Sequence, residues 1–301
     1  FWAGVVPALV LLVGMCFVPE TPRWLLSKGR LKECRKVLQK IEPENTVNDL
    51  IGQMEVEIEK DRNSAVGWRY LMQPWLRTPL MIAVCIMFFQ QFVGINTVIY
   101  YSPKIFLMAG FESTLSAIWA SVGIGIVNVV FTVISLYLVD RIGRRKLYFI
   151  GLSGIAFSVL CLSACFIYAN QLGEIGRWLM VIFMFGYVAF FAISIAPLGW
   201  LVISEIFPQK VRGLGTSIGS LAVWIFNCIV SFTFFKIIDF FSIPGTEIVV
   251  GQTTSENPAG AFFLYGFISV LGLVWGYLFL PETKGLSLEE IEQKWRKNRE
   301  C

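Results

Sequence analysis

The sequence predicts an all-α, polytopic membrane protein, on three observations. Hydrophobic residues fill 56% of the 301 positions and charged residues only 15%, with mean hydropathy +0.67. A soluble domain carries more charge than that on its surface. Apolar runs near the roughly 20 residues that a helix needs to cross hydrocarbon recur six times after an apolar start. Lys and Arg gather in alternate connections between the runs, as expected of a chain that crosses a bilayer repeatedly.

Phe1 to Val18 opens the chain without a Met and without the basic stretch of a signal peptide. It reads as the end of a membrane helix whose start is missing, so the chain is expected to be a fragment. Residues 20–78 differ sharply, being dense in Lys, Arg, Glu and Asp. There Leu31, Cys34, Leu38 and Ile41, then Val47, Leu50, Met54 and Ile58, recur at helical spacing. The expectation is a linker of short amphipathic helices. Six spans follow at about 80–107, 115–139, 147–169, 177–204, 211–238 and 260–280, and then a tail over 281–301.

Of the 25 Lys and Arg, the segment 20–77 holds eleven, the loop 140–146 four, the loop 209–212 two and the tail five. The remaining Lys104, Arg177 and Lys236 lie near opposite helix ends. The linker, the loops at 140–146 and 205–213, and the C-terminus are therefore expected in the cytoplasm of a multi-pass cell-membrane protein. The connections near 110, near 173 and over 239–259 are expected outside.

Val-Pro-Glu-Thr at 18–21 and Leu-Pro-Glu-Thr at 280–283 both end a helix on the cytoplasmic side, six spans apart. A duplicated six-helix unit leaves such a mark. On this reading the first helix is number six of twelve.

His is absent, which removes the imidazole of zinc sites, Ser-His-Asp triads and proton shuttles near neutral pH. No metal-ligand cluster is visible, and the seven Cys form no CxxC pair. An enzyme is disfavoured. No metal, no nucleic acid and no cofactor is called for.

Polar residues inside the spans carry the functional argument. Gln90, Gln91 and Asn96 lie in an apolar helix, and unpaired amides there must face protein or a wet cavity. On an unbroken helix Gln91 and Asn96 would point about 140° apart, whereas a break at Gly94 would let both face one cavity. Amides suit neutral hydroxyls because they both donate and accept. Helix–helix bonding between amides is the alternative. Tyr100 and Tyr101 lie at the outer end of that helix, where an interfacial aromatic belt is the plain reading. Trp200 follows Pro197 and Gly199, where a kink is expected. Its indole can lie against lipid, or offer a flat apolar face and one N–H donor to a ligand.

In these residues the chain resembles the sugar porters of the major facilitator superfamily. The matching motifs run in order: PETPRWL at 19–25, QQFVGIN at 90–96 with Tyr100 and Tyr101, DRIGRR at 140–145, PLGWLVISEIFP at 197–208 with VRG at 211–213, and PETKG at 281–285. The resemblance implies the end of helix 6 plus the six-helix C-terminal bundle of a major-facilitator fold. It also implies a sugar site between two bundles, and alternating access. It assigns Gln90, Gln91, Asn96, Trp200, Asn128, Trp224 and Asn227 to substrate, and Tyr100 and Tyr101 to the outer gate. Glu20, Arg23, Asp140, Arg144, Arg145, Glu205, Arg212 and Glu282 are implied to form an inner-gate charge network; solvated loop charge is the alternative.

Ala192, Ala196 and Val223 depart from residues common in other members, and FAISIAPLGW is similar to a segment of bacterial proton-coupled pentose and hexose carriers. The expected activity is transport of a monosaccharide or polyol, as a proton symporter. An uncoupled facilitator, a transporter-like sensor and an inactive truncated remnant are the alternatives. No carboxylate lies mid-membrane in the spans present, so a coupling Asp or Glu is expected in the missing half. Sequencing upstream of Phe1 checks the duplication: it is expected to show about five further helices and a second Asp-x-x-Gly-Arg-Arg-like loop.

Overall fold

The computed structural model describes residues 2–63, 71–111, 113–241, 248–250, 253–255 and 257–285. The chain forms two compact units, Phe1–Gly67 and Trp68–Cys301.

The first unit holds α1 (Trp2–Phe17), α2 (Pro22–Ser27), α3 (Leu31–Leu38) and α4 (Glu44–Asn63). The side chains of α1 from Val5 to Phe17 are exposed within this unit. Pro22 opens α2, where its missing N–H costs nothing and its fixed φ suits a helix. Gly29, at φ 74, closes it: its N–H reaches Leu26 O and that of Arg30 reaches Leu25 O. Leu25, Cys34, Leu38, Val47 and Ile51 bury together, flanked by Leu26, Val37 and Met54. This corrects the periodic reading at its edges. Ile41 is exposed because α3 ends at Leu38 and the helical phase stops there. Ile51, one turn beyond Val47, takes the core position in preference to Leu50. Arg30 forks onto Glu33 at 2.8 and 2.6 Å, and this bond holds the Glu33 carboxyl below the usual range.

Among the described residues, the second unit holds six helices or helix pairs long and apolar enough to cross a membrane. They are α5 (Arg77–Phe92) with α6 (Ile95–Met108), α7 (Thr114–Ile142), α8 (Arg144–Ile167), α9 (Ala169–Ile193) with α10 (Ile195–Ile206), α11 (Gln209–Phe240) and α12 (Ala259–Phe279). Two of the spans are broken, as the sequence suggested at Gly94 and near Pro197. The first breaks at Gly94, which takes φ 85. The fourth bends at Gly173 and breaks at Ser194. The second break lies three residues before Pro197 because a proline ring clashes with the carbonyl four residues earlier. Between α11 and α12 a small antiparallel hairpin pairs β1 (Ile248–Val250) with β2 (Thr253–Ser255). The tail from residue 286 onward lies outside the described residues.

α8 is the hub, packed against both α9 and α12. Glycines let α12 come close: a Cβ at Gly276 would sit 2.4 Å from the Tyr148 ring, and one at Gly266 would sit 2.6 Å from Leu160. Tyr148 Oη donates to Gly272 O at 3.1 Å. Asn257 Nδ2 donates to Phe166 O, and Asn257 Oδ1 accepts from the Ala259 N–H. These two bonds pin the start of α12 to the end of α8. On the opposite side α11 packs along α5, and the site lies near that seam.

Cys34 has no exposed surface, and burial raises the pKa of its thiol. A maleimide is therefore expected to label Cys34 at least about tenfold more slowly in the folded protein than in denaturant, measured by mass spectrometry of the 31–38 peptide.

Candidate functional site

The break at Gly94 sets the geometry. Beyond it α6 starts afresh, and Asn96 Nδ2 donates to Gln91 Oε1. Gln91 Nε2 reaches Gln90 Oε1 at 3.4 Å. Gln90 Nε2 in turn donates to the carbonyls of Ile195 and Ala196, both at 3.1 Å, on the first turn of α10. A row of three amides thus ties one broken helix to the other. Gly199 makes room for it, since a Cβ there would come within 2.8 Å of Gln90 Nε2. Each amide brings two N–H groups and two lone pairs, so these bonds leave capacity for a ligand.

The row faces an open cavity of about 240 Å³. Gln90, Gln91, Asn96, Tyr100 and Asn227 give it a polar side, and Trp200 and Trp224 stand over it as half-exposed indoles. Ile95, Phe191, Ala196 and Val223 complete the lining, which among the described residues has no charged side chain. Such a cavity offers amide donors and acceptors beside flat aromatic faces. It fits a neutral, hydroxyl-rich molecule of modest size and provides no counter-charge for an ion.

Among the residues assigned to substrate, Asn128 does not join the others. It lies on α7, which contributes nothing to this lining, and its Oδ1 accepts from Thr132 one turn on. The two tyrosines also separate. Tyr100 lines the cavity, with Asn227 Nδ2 3.4 Å from its hydroxyl. Tyr101, one residue on, turns to α11, stacks on Phe234 and donates to Ser231 O at 3.4 Å.

At the far end of α10, Arg144 pairs with Glu205 at 2.9 Å and with Asp140 at 3.5 Å. Thr283 Oγ1 donates to the other oxygen of Glu205. Glu282 behaves differently from the carboxylate-to-arginine pairing expected of it. Its two oxygens accept the backbone N–H groups of Arg144 and Arg145, at 2.9 and 3.1 Å. The first turn of a helix has N–H groups without helical partners and a partial positive charge, so Glu282 caps α8 from a distant part of the chain. Gly143 permits this, with φ 93 and a hypothetical Cβ only 2.9 Å from Glu282 Oε2. Arg145 is left to donate to Tyr277 O at 2.8 Å. Nε and Nη2 of Arg212 are buried without a hydrogen-bond partner among the described residues. Glu20 and Arg23 are exposed residues of the first unit.

Several polar side chains were not picked out from the sequence. Thr283 binds Glu205, and Lys284 Nζ donates to Arg141 O at 2.7 Å. Tyr187 and Thr97 are buried around the Gly94 break. Their only signal in the sequence is a hydroxyl inside an apolar run, and many such hydroxyls bond within their own helix.

Residues 1–295 match the family model described as "Sugar (and other) transporter". The glucose transporter GlcP of Staphylococcus epidermidis is 36% identical over 97% of this chain and 61% of its own length. The D-xylose-proton symporter of Escherichia coli is 34% identical over 98% of this chain and 56% of its own. Probable polyol transporter 4 of Arabidopsis thaliana is 31% identical over 96% and 53%. Among solved structures, the proton:xylose symporter XylE bound to 6-bromo-6-deoxy-D-glucose superposes with TM-score 0.74 at 32% identity, covering 97% of this chain and 58% of that one. The chain thus spans rather more than half the length of these relatives. With nearly all of its own residues matched to that model, this chain belongs to the sugar transporter family of the major facilitator superfamily, a family of membrane carriers and not of enzymes.

Proposed function

We propose that this chain forms the C-terminal half of a carrier that moves a monosaccharide or polyol across the cell membrane by alternating access. The observation that carries the reading is the uncharged amide-and-indole cavity at the Gly94 break. Sugar hydroxyls exchange water for Gln90, Gln91, Asn96 and Asn227, and one face of the ring stacks on Trp200. The open side of the cavity receives a second six-helix half; the repeated Pro-Glu-Thr and the 53% to 61% coverage of the relatives support that half. Asn128 is assigned no contact with substrate.

The Arg144–Glu205 pair, backed by Asp140 and Thr283, is the inner latch on this reading. It is mostly buried, with 12% and 22% of the two side chains accessible. The attraction in such a pair is largely offset by the desolvation of its charges, so a latch of this kind opens at modest net cost when opening returns both groups to water. The unpartnered buried nitrogens of Arg212 await an acceptor from the other half. The Lys and Arg distribution supports a cytoplasmic location for 20–78, 140–146, 205–213 and the C-terminus.

Proton symport is the finer reading, supported by relatives described as D-xylose-proton and arabinose-proton symporters. Among the described residues no carboxylate lines the cavity, so the coupling group belongs to the second half. Uncoupled facilitation is the alternative, and sugar-induced alkalinisation of the medium around energy-depleted cells separates the two: it accompanies symport alone.

In the intact carrier, Gln91→Ala is expected to raise the half-saturation concentration for sugar by about tenfold, the worth of one or two lost hydrogen bonds. Unchanged uptake kinetics in proteoliposomes would remove Gln91 from the site. Glu205→Gln is expected to shift the resting carrier toward its inward-facing form by about fivefold. The readout is labelling of Val223→Cys from the cytoplasmic side by an impermeant thiol reagent, in a background without other cysteines. A labelling rate equal to that of the parent would count against the latch.

A further inference from the structure

The break at Gly94 strands backbone groups in a buried place. In a continuous helix the Val93 carbonyl would accept from the Thr97 N–H. Here the Thr97 N–H goes to Gly94 O at 3.1 Å, and that of Val98 to the same oxygen at 3.4 Å. Val93 is fully buried, so its carbonyl has no water to turn to. Tyr187, on α9 and itself without exposed surface, supplies the bond: its Oη donates to Val93 O at 2.6 Å. Thr97 Oγ1 donates to Gly94 O at 2.6 Å. From the other side the ring of Tyr265, on α12, lies over Gly94 so closely that a Cβ there would be 2.3 Å from it. The break is therefore gripped by a phenol hydroxyl, a threonine hydroxyl and an aromatic face, from α9, α6 and α12.

None of these three residues lines the cavity, yet Gln91 and Asn96 lie on either side of the residue they grip. We propose that Tyr187 is a positioning residue for the sugar site, setting the angle of the Gly94 break so that the amides of Gln91 and Asn96 share one cavity, with Thr97 and Tyr265 holding the same joint. The proposal rests on the assignment of those amides to sugar. Removing the Tyr187 hydroxyl leaves Val93 O unpaired in a dry environment, and the cheapest relief is to re-form a helical bond across the break. That rotates Asn96 away from Gln91.

Tyr148 is the internal control. It too is a fully buried tyrosine donating to a backbone carbonyl, that of Gly272 at 3.1 Å, but at the seam of α8 and α12 and away from the cavity lining. The experiment measures uptake by the intact carrier in proteoliposomes with D-xylose, D-glucose and sorbitol as probes, and thermal unfolding of each variant. Tyr187→Phe is expected to raise half-saturation about five- to tenfold, as for a lost buried hydrogen bond. Thr97→Val is expected to move it in the same direction, and it carries the test if Tyr187→Phe does not fold. Tyr148→Phe is expected to lower the unfolding temperature with less than about a twofold change in half-saturation. In an Asn96→Ala background Tyr187→Phe should add nothing further to half-saturation, because the amide it orients is gone.

Unchanged half-saturation in Tyr187→Phe and Thr97→Val, beside a weakened Asn96→Ala, overturns the positioning role and leaves the sugar site standing. So does a Tyr187→Phe effect that persists undiminished in the Asn96→Ala background, or one matched by Tyr148→Phe. If Asn96→Ala and Gln91→Ala both leave half-saturation unchanged, the sugar assignment itself fails and the positioning role falls with it.

Discussion

Hydrocarbon offers no hydrogen bonds, so every backbone group inside a bilayer needs a partner from the protein, and an unpaired one costs several kcal/mol. A continuous helix meets this demand alone. A broken one cannot, and this chain breaks two of its spans, at Gly94 and at Ser194. Side chains make good the interruptions. Tyr187 reaches Val93 O across from α9, and Ser194 Oγ donates to Phe190 O beside its own break. Gln90 adds a tie from α5 to the carbonyls of Ile195 and Ala196 on α10. The bond from Tyr187 thus satisfies interrupted backbone and, with Gln90, draws the two discontinuous spans together.

That arrangement depends on a stiffer frame behind it. α8, α9 and α12 pack through small residues and through hydroxyls that donate to carbonyls. Gly151 shows how tight this is. A Cβ there would fall 1.6 Å from Ser194 Oγ, so the residue at the second break is seated directly against the hub helix. The broken helices lean on the frame, and the faces of α10 and α11 bearing Trp200 and Trp224 are left uncovered. A carrier needs that division: one set of helices that holds its shape, and another whose joints bend around a ligand.

The spans were legible in the sequence because length and hydropathy suffice to mark them. The break at Gly94 was legible for a different reason: Gln91 and Asn96 make sense in one cavity only if the helix between them is interrupted. The second break was displaced, since Pro197 marks the kink while the clash it causes falls on the preceding turn. Asn128 stands apart from that cavity: an amide in an apolar helix announces only that it needs a partner, and Thr132 one turn away supplies one. Tyr100 and Tyr101 read as one pair, but adjacent positions on a helix point about 100° apart, and only Tyr100 meets the cavity. Glu282 read as a partner for arginine side chains. Main-chain N–H groups leave no trace in a sequence, and so its true contact was hidden.

That contact separates two functions which the charges alone would have fused. Because Glu282 holds main-chain atoms of residues 144 and 145, the joint between the last helix and α8 does not depend on which side chains stand at those positions. The guanidinium of Arg144 is released to serve Glu205. Selection can strengthen, weaken or delete the arginines, and so retune the ion pair with Glu205, while the splice that closes the bundle stays in place. The two are written in different chemical alphabets, one in side chains and one in backbone.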